Sequence, residues 1–217
     1  MVTFYLFTDG GGFPRPDGGF DGVSAYRIYL HNKTGIKLLH HHEKVTEKAT
    51  GQFGEISAIA NALEHVCLYM KDVDIRESVQ VNIYTDSMLY KRALTEWIFA
   101  WIKKAKDGIL YSSSNTPVIN QEQIKSAFKT MVWLRKQKAV VKFFHINSHV
   151  SESKLKQLKT KFQTANKCKV SDDEFYFIYK GNQACDDAIK QAYKEFVESK
   201  NTENISVDEN PFREAEI

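Results

Sequence analysis

Four acidic residues stand at positions from which a cluster of carboxylates could form. Asp9 follows the alternating segment of residues 2–8, and Asp86 ends a second alternating segment, residues 79–86. Glu55 precedes an apolar stripe at helical spacing, and Asp186 lies early in another helical pattern. Alternation predicts strands with one buried face, and α/β sheets usually place their ligand crevice beyond the carboxyl ends of strands. Four carboxylates at one sheet edge would form a candidate reaction centre.

The chemistry of such a cluster follows from the repulsion between its charges. Two carboxylates about 4 Å apart, at an effective dielectric constant near 20, repel by roughly 4 kcal/mol, so cations or retained protons must offset the charge. Oxygen ligands without His or Cys favour Mg²⁺ or Mn²⁺, and two such ions about 3.5–4 Å apart can promote in-line attack on a phosphodiester. Each acid alone also has a simpler explanation. Asp86 and Ser87 could cap a helix, and Glu55 in a first helical turn would be favoured by the helix dipole.

The elements that must position these acids are predicted from periodicity. Strands are predicted at residues 2–8, 23–30, 36–42, 79–86 and 139–146, and helices begin near residues 55, 87, 121 and 181. A turn-rich loop rich in glycine and proline, residues 10–19, separates the first two strands. Strands 1, 4 and 5 can lie parallel at the centre because helices separate them, while strands 2 and 3 form an antiparallel hairpin. The predicted fold class is α/β, a mixed five-stranded sheet flanked by helices, with Asp9 and Asp86 at the same edge.

The composition is that of a globular protein in a reducing compartment. The chain has 217 residues, 42% apolar and 26% charged, with a net charge of +3, so nucleic-acid binding would depend on local basic patches. It contains no 18-residue apolar run, and a strand-like segment follows Met1 directly, so we expect neither a signal peptide nor a membrane span. Three cysteines without metal-ligand spacing predict free thiols and a cytoplasmic location.

Five short motifs, taken together, are similar to those of a known family. They are Phe7-Thr8-Asp9-Gly10, Gly54-Glu55-Ile56, Tyr84-Thr85-Asp86-Ser87, His149 after the fifth strand, and Gly181-Asn182-Gln183-Ala184-Cys185-Asp186. Each motif alone is weak, but in this order they resemble type 1 ribonuclease H, across about residues 1–197. The resemblance implies the ribonuclease H-like fold.

The resemblance also implies an activity and a cofactor. Members of this family are endonucleases that hydrolyse the RNA strand of RNA–DNA hybrids by two-metal-ion catalysis, leaving 5′-phosphate and 3′-hydroxyl ends. The implied cofactor is Mg²⁺, with Mn²⁺ as a substitute, at two ions per site. Asp9, Glu55, Asp86 and Asp186 match the catalytic, metal-binding carboxylates. His149 matches the mobile histidine that assists proton transfer or product release, for which a pKa near 6.5 is suitable.

Substrate contacts are implied in the same way. Lys103, Lys104 and Lys106 follow Trp97 and Trp101 in a segment, near residues 101–116, that resembles the basic protrusion by which some members hold the DNA strand. A helical Trp pair is also common in a core, so this reading stays open. Thr50, Gly51 and Gln52 occupy the place of the family's minor-groove loop, where 2′-hydroxyl groups are contacted.

The sequence departs from the family in several places. Gly51 and Gln52 stand where two Asn residues are frequent, and Gly11 stands where a Ser is frequent. Between His149 and Gly181 lie 31 residues, where members normally have a handful. The Lys-rich part of this insertion is either an additional nucleic-acid contact or a solvated helix face. The acidic tail, residues 198–217, is expected to be poorly ordered and is a candidate for binding a protein partner.

Two other functions compete with a monomeric ribonuclease H. One is a hybrid-binding module with weak or no catalysis, against which the four acids argue. The other is a different nuclease of the ribonuclease H-like superfamily. Exonucleases of that superfamily commonly have a second acid two residues after the first, where this chain has Gly11.

Overall fold

Five strands form one mixed sheet in the order β3-β2-β1-β4-β5. The computed structural model of the chain describes residues 1–147 and 152–208. The strands are β1 (Val2–Pro14), β2 (Phe20–Asn32), β3 (Gly35–Thr46), β4 (Val79–Thr85) and β5 (Val140–His145). β1 pairs with β4, and β4 with β5, in parallel, whereas the β1–β2 and β2–β3 pairs are antiparallel. The predicted fold class is confirmed.

Helices cover both faces of this sheet. They are α1 (Gly51–Asp72), α2 (Met88–Arg92), α3 (Ile98–Lys104), α4 (Gln121–Lys136), α5 (Leu155–Asn166) and α6 (Asp172–Asp208). A π-helical turn, Ala93–Trp97, joins α2 to α3, and a 3-10 turn, Glu152–Lys154, precedes α5. On one face, α1, α4 and the α2–α3 segment enclose the larger core; on the other, α5 and α6 enclose a second core rich in aromatic rings. No helix in the described ranges has the length and apolar character needed to cross a membrane.

The first hairpin is longer than predicted. β1 continues to Pro14 and β2 begins at Phe20, so the glycines after Asp9 belong to a strand rather than to a loop. Only residues 15–19 form the turn, where Gly18 and Gly19 have φ values of 88° and 79°. The glycines of the strand have another purpose, because α1 approaches the backbone there too closely for side chains. A Cβ on Gly12 would lie 2.8 Å from the backbone nitrogen of Gly51.

The start of α1 also differs from the prediction. The helix begins at Gly51 instead of Glu55, and the Thr50 hydroxyl caps it by accepting a hydrogen bond from the Phe53 amide at 3.1 Å. Glu55 therefore lies in the second turn, and the first turn contains no acid. The helix-dipole explanation of Glu55 is wrong, because that effect is confined to the terminal turn.

The insertion near residues 150–180 is largely helical. It contains α5 and the first turns of α6, which begins at Asp172 rather than at Gly181 as predicted. The aromatic run of residues 175–179 belongs to this helix, and Phe175, Ile178, Cys185 and Ile189 form one buried stripe at helical spacing.

Helix α6 continues to Asp208, through part of the segment that is predicted to be a poorly ordered tail. Polar contacts support this extension. Lys194 and Glu198 form an i,i+4 ion pair at 3.9 Å, and Lys200 contacts Glu47 of the segment after β3 at 2.6 Å. Residues 209–217 lie outside the described ranges.

Candidate active site

The carboxyl edge of the β1–β4 pair positions two of the four acids. The last parallel pair in the register is Thr8 with Thr85, and Asp9 and Asp86 are the next residues on each strand. Both side chains therefore lie at one edge of the sheet, as expected from parallel pairing. The β1 strand continues past this point, paired with β2 alone.

Asp9 is the most buried of the four acids, with 5% of its surface exposed. Its Oδ1 accepts a hydrogen bond from the Gly10 amide at 2.7 Å. Burial, and then the charge of Asp86, raise the pKa of Asp9 to about 8, and the charges of Asp186 and Glu55 add to the effect. The other three predicted carboxylates therefore all act electrostatically on Asp9.

Close backbone contact between α1 and the first hairpin brings Glu55 to this edge. A Cβ on Gly10 would lie 2.0 Å from the Glu55 nitrogen, and one on Gly54 would lie 2.2 Å from the Val23 carbonyl oxygen. Real Cβ contacts are never so short, so only glycine allows the helix to lie this near the strands. The motif Gly54-Glu55 thus positions a carboxylate by steric means.

Ser87, a residue to which the sequence assigned no catalytic role, holds the Glu55 side chain. Its hydroxyl donates a hydrogen bond to Glu55 Oε2 at 2.5 Å, and it also caps α2. Burial raises the pKa of Glu55, the Ser87 hydrogen bond opposes that shift, and the charge of Asp86 adds to it. The motif Tyr84-Thr85-Asp86-Ser87 indicates Asp86 as a site residue. Nothing in the motif indicates that the Ser87 side chain contacts α1.

Asp86 itself has a buried oxygen without a partner. Oδ1 of Asp86 accepts no hydrogen bond from the described part of the chain. Its backbone carbonyl oxygen lies 3.0 Å from Nε2 of His145, the last residue of β5. Burial lowers the pKa of His145. His145 was not predicted as a site residue, because its sequence position indicates only a residue of the fifth strand.

Asp186 reaches the site from α6. The helix lies against β1 through Gly181, where a Cβ would lie 2.5 Å from the Phe7 ring, and through Cys185, whose thiol donates to the Phe7 carbonyl oxygen at 3.4 Å. Oδ2 of Asp186 is 2.6 Å from the ammonium group of Lys190. The neighbouring Asp187 is exposed and lines a groove between α6 and the β2–β3 hairpin.

A family model for RNase H matches residues 2–194 of the chain. The chain belongs to the ribonuclease H family. Its recognition from five short motifs is confirmed, and the structure gives the elements on which the four motifs within the described residues lie.

Curated relatives and a solved structure agree with this membership. A ribonuclease H from Agrobacterium fabrum (strain C58 / ATCC 33970) is 33% identical over 119 residues, which are 54% of this chain and 66% of that protein. One from Haemophilus influenzae (strain 86-028NP) is 30% identical over 117 residues, 54% of this chain and 62% of that protein. The chain thus spans somewhat under two thirds of these relatives. The solution structure of the PFV RNase H domain has the same fold at a TM-score of 0.54 and 19% identity, covering 88% of this chain and 92% of that one.

The four acids of this ribonuclease H family member fit a hard divalent cation by their chemistry. They offer oxygen ligands alone, and one buried oxygen of Asp86 lacks a hydrogen-bond partner in the described ranges. A nearby cation would also favour the charged form of Asp9, whose pKa is raised. In residues 1–147 and 152–208, however, no three His, Cys, Asp or Glu side chains are gathered into a ready-made ion site. Ser87 holds Glu55 and Lys190 holds Asp186, so the carboxylates need side-chain rearrangement to share an ion.

The predicted substrate residues lie at two places around the acids. Thr50 caps α1, and Gly51 and Gln52 form its first turn. Trp97 and Trp101 are half-buried against the larger core, with ring centroids 5.9 Å apart, so part of each ring has a packing role. The three lysines of the predicted protrusion, Lys103, Lys104 and Lys106, are exposed at and after the end of α3. His149 lies outside the described residues.

Proposed function

We propose that this chain is an endonuclease that hydrolyses the RNA strand of RNA–DNA hybrids, leaving 5′-phosphate and 3′-hydroxyl ends. The observation that carries the proposal is the position of Asp9 and Asp86 directly after the last parallel pair of β1 and β4, where Asp9 is buried and the charges of Asp86, Asp186 and Glu55 help to raise its pKa. Four acids that repel one another are unfavourable in a purely structural role. Perturbed carboxylates grouped at a strand edge are characteristic of a reaction centre. Family membership supplies the reaction class.

The carboxylates would hold two divalent ions, Mg²⁺ or Mn²⁺, through Asp9, Glu55, Asp86 and Asp186. When bound, such ions neutralise phosphate charge and lower the pKa of a coordinated water. The protein positions the ligands. Gly10 fixes the Asp9 carboxylate by its amide, Ser87 fixes Glu55, and Lys190 forms an ion pair with Asp186. His149 is proposed to move a proton or to assist product release.

Substrate binding is proposed for two groups of residues. Thr50, Gly51 and Gln52 would contact the minor groove, and Trp97, Trp101, Lys103, Lys104 and Lys106 would hold the DNA strand. Supporting this, the three lysines are exposed on a segment that is anchored to the core by the half-buried tryptophans.

We further propose that residues 1–197 form the domain and that the protein acts as a cytoplasmic monomer. The acidic tail, residues 198–217, remains a candidate contact for a protein partner.

A cleavage assay tests the proposal. With Mg²⁺, the unsubstituted protein should cleave the RNA strand of a hybrid and leave double-stranded RNA and double-stranded DNA intact. Asp86→Asn should reduce cleavage to background without changing the fold. Asp187→Asn is the matched control, because it makes the same Asp-to-Asn change at the exposed neighbour of Asp186. This variant should cleave normally. Full cleavage by the Asp86→Asn variant, or cleavage of DNA alone, would refute the proposal.

A hybrid-binding module with weak catalysis is the competing function. One observation favours it: among the described residues no three potential ligands are already close enough to share an ion. The same assay separates the two functions. A module of that kind would bind the hybrid in the presence of Mg²⁺ or Mn²⁺ and leave its RNA strand intact.

A further inference from the structure

The insertion places an uninterrupted basic segment beside the active site. Residues 153–171 contain six lysines and no acid. They form α5 and the turn that leads into α6. Leu158 and Phe162 of α5 are buried in the aromatic core, so this helix has a fixed face and a fixed direction. Its lysines project away from that buried face, except Lys159, which is largely buried and pairs with Asp172 at 2.7 Å.

The C-terminal end of α5 is tied to the edge that carries the acids. Asn166 accepts a hydrogen bond from the His145 amide at 2.8 Å and donates one to the His145 carbonyl oxygen at 2.7 Å. The His145 ring in turn lies 3.0 Å from the carbonyl oxygen of Asp86. One residue of β5 therefore separates the end of α5 from the Asp86 backbone.

A third element brings another lysine to the same place. Lys91 of α2 lies five residues after Asp86, and its ammonium group donates to Asn166 Oδ1 at 2.9 Å. Lys167 and Lys169 follow Asn166 directly. We call Lys91, Lys167 and Lys169 the lysine rim. In the described residues none of the three forms an ion pair with an acid.

The turn that carries Lys167 and Lys169 is held by hydrogen bonds and by packing. Gln163 accepts hydrogen bonds from the amides of Cys168, through its carbonyl oxygen at 3.1 Å, and of Val170, through its side chain at 3.3 Å. Val170 and Cys168 also pack against the aromatic core. The lysine side chains at 167 and 169 remain exposed. A fixed backbone that presents exposed ammonium groups reduces the entropy lost when a polyanion binds.

We propose that the lysine rim binds backbone phosphates of the nucleic acid that the active site cleaves, an inference that rests on the proposed function. The position of the rim argues for this ligand. Trp97 and Trp101 belong to the core on one face of the sheet, whereas α5 belongs to the core on the other face. Lys167 and Lys169 follow α5, so these two lysines and the protrusion belong to opposite faces of the sheet, and a duplex seated on the acids between those faces can reach both. Lysine ammonium groups bind phosphate as point charges and read no sequence.

The test compares two double variants of the full chain. Lys167→Gln with Lys169→Gln removes two charges of the rim. Lys136→Gln with Lys138→Gln is the control, because both of its lysines are exposed and have the same spacing at the end of α4. Lys138 and Lys167 even share a left-handed backbone, with φ values of 63° and 51°. The control pair precedes β5, at the opposite edge of the sheet from the acids.

Binding to a labelled hybrid is measured without divalent ions over a series of salt concentrations. The rim variant should raise Kd by at least about tenfold at 50 mM salt and reduce the salt slope by about 1.8, for two phosphate contacts at about 0.9 each. The control should leave both values unchanged, and thermal melting should show both variants folded. Equal Kd and slope for the two variants would overturn the inference and make the Lys-rich segment a solvated helix face.

Cleavage, assayed separately with Mg²⁺, distinguishes the two proposals. If the unsubstituted protein cleaves the hybrid and both double variants bind it with the same Kd as the unsubstituted protein, phosphate binding by the lysine rim is refuted and the proposed function stands. If the unsubstituted protein binds through the rim without cleaving, the proposed function fails and the rim stands as a nucleic-acid contact.

Discussion

The Ser87 hydroxyl donates a hydrogen bond to Oε2 of Glu55 at 2.5 Å across 32 residues of sequence. This contact joins the end of β4 to the second turn of α1, the two elements that supply Asp86 and Glu55. It also stabilises the charged form of Glu55 against burial. One small side chain therefore caps a helix, orients a carboxylate and keeps it available as a ligand.

Replacing Ser87 by Ala should affect activity more than stability. Loss of the α2 cap costs about 1 kcal/mol, which lowers Tm by roughly 2–4 °C. Loss of the hydrogen bond to a metal-binding carboxylate should lower hybrid cleavage by about 10–100-fold. The acidic limb of the pH–rate profile should move to higher pH, because the pKa of Glu55 rises when the hydroxyl is removed.

Ser171→Ala is the matched control. Ser171 accepts a hydrogen bond from the Glu174 amide at 3.0 Å at the start of α6, and its hydroxyl has no contact with the four acids. It should lose a similar amount of stability and retain full cleavage. Equal losses of activity in the two variants would show that Ser87 acts only as a cap.

The raised pKa of Asp9 predicts an unusual dependence of stability on pH. Below about pH 4 Asp9 is protonated in both the folded and the unfolded states, and its contribution to folding is then fully present. As the pH rises toward the folded-state pKa of about 8, only the unfolded state loses the proton, so unfolding becomes easier. Asp9→Asn removes this effect and keeps an oxygen that can accept from the Gly10 amide. In metal-free buffer at pH 8 the free energy of unfolding of Asp9→Asn should exceed that of the unsubstituted protein by at least about 1 kcal/mol, which corresponds to about 2–4 °C in Tm.

The gap in Tm between the two proteins should close on lowering the pH to 4. Mg²⁺ should raise the Tm of the unsubstituted protein and have a smaller effect on Asp9→Asn, because the cation offsets the carboxylate repulsion. Asp187→Asn serves as the control for loss of an exposed acid. A Tm gap for Asp9→Asn that is constant from pH 4 to 8 would contradict the burial-induced shift.

The sheet and the convergence of acids could be predicted because they rest on periodicity and on the geometry of parallel strands. Val79, Val81 and Ile83 alternate cleanly, and any acid after such a strand must lie near one after its parallel neighbour. The contacts that orient these acids could not be predicted. Neither Ser87 with Glu55 nor His145 with Asp86 has a signature in a single sequence, since each depends on packing between distant elements.

Two segments show where local signals are ambiguous. Glycine favours turns and close backbone contacts alike, so Gly10, Gly11 and Gly12 were assigned to a loop although they form the strand that α1 touches. The aromatic run before Gly181 fits a buried strand and a buried helix equally over five residues. Its helical period becomes visible only when Cys185 and Ile189 are included.

Lys190 should compete with a divalent ion for Asp186. Its ammonium group contacts Asp186 Oδ2 at 2.6 Å, and the hydrogen bond with Asp186 raises the pKa of Lys190, so the lysine stays charged. Lys190→Gln should therefore lower the Mg²⁺ concentration that gives half-maximal cleavage, by about 2–5-fold if the exposed pair contributes up to about 1 kcal/mol. The measurement is a Mg²⁺ titration of hybrid cleavage.

Lys194→Gln is the control for that titration. Lys194 lies one turn further along α6 and pairs with Glu198 at 3.9 Å, so the same charge is lost away from the acids. Its Mg²⁺ requirement should equal that of the unsubstituted protein. An unchanged or higher Mg²⁺ requirement for Lys190→Gln would mean that the lysine supports ion binding instead of opposing it.

The insertion should prove necessary for the fold as well as for binding. Phe162 of α5 is 3% exposed, and its ring lies 6.3 Å from Tyr84, 6.1 Å from Phe144 and 5.5 Å from Phe175, measured between centroids. Phe162→Ala should destabilise the protein by about 3–5 kcal/mol, because it leaves a cavity between the sheet and α6. Tyr176→Ala is the control, since that ring is 45% exposed on the neighbouring helix, and it should cost less than about 1 kcal/mol. Urea unfolding measures both. A loss for Phe162→Ala no larger than that for Tyr176→Ala would mean that α5 rests on the sheet without supporting it.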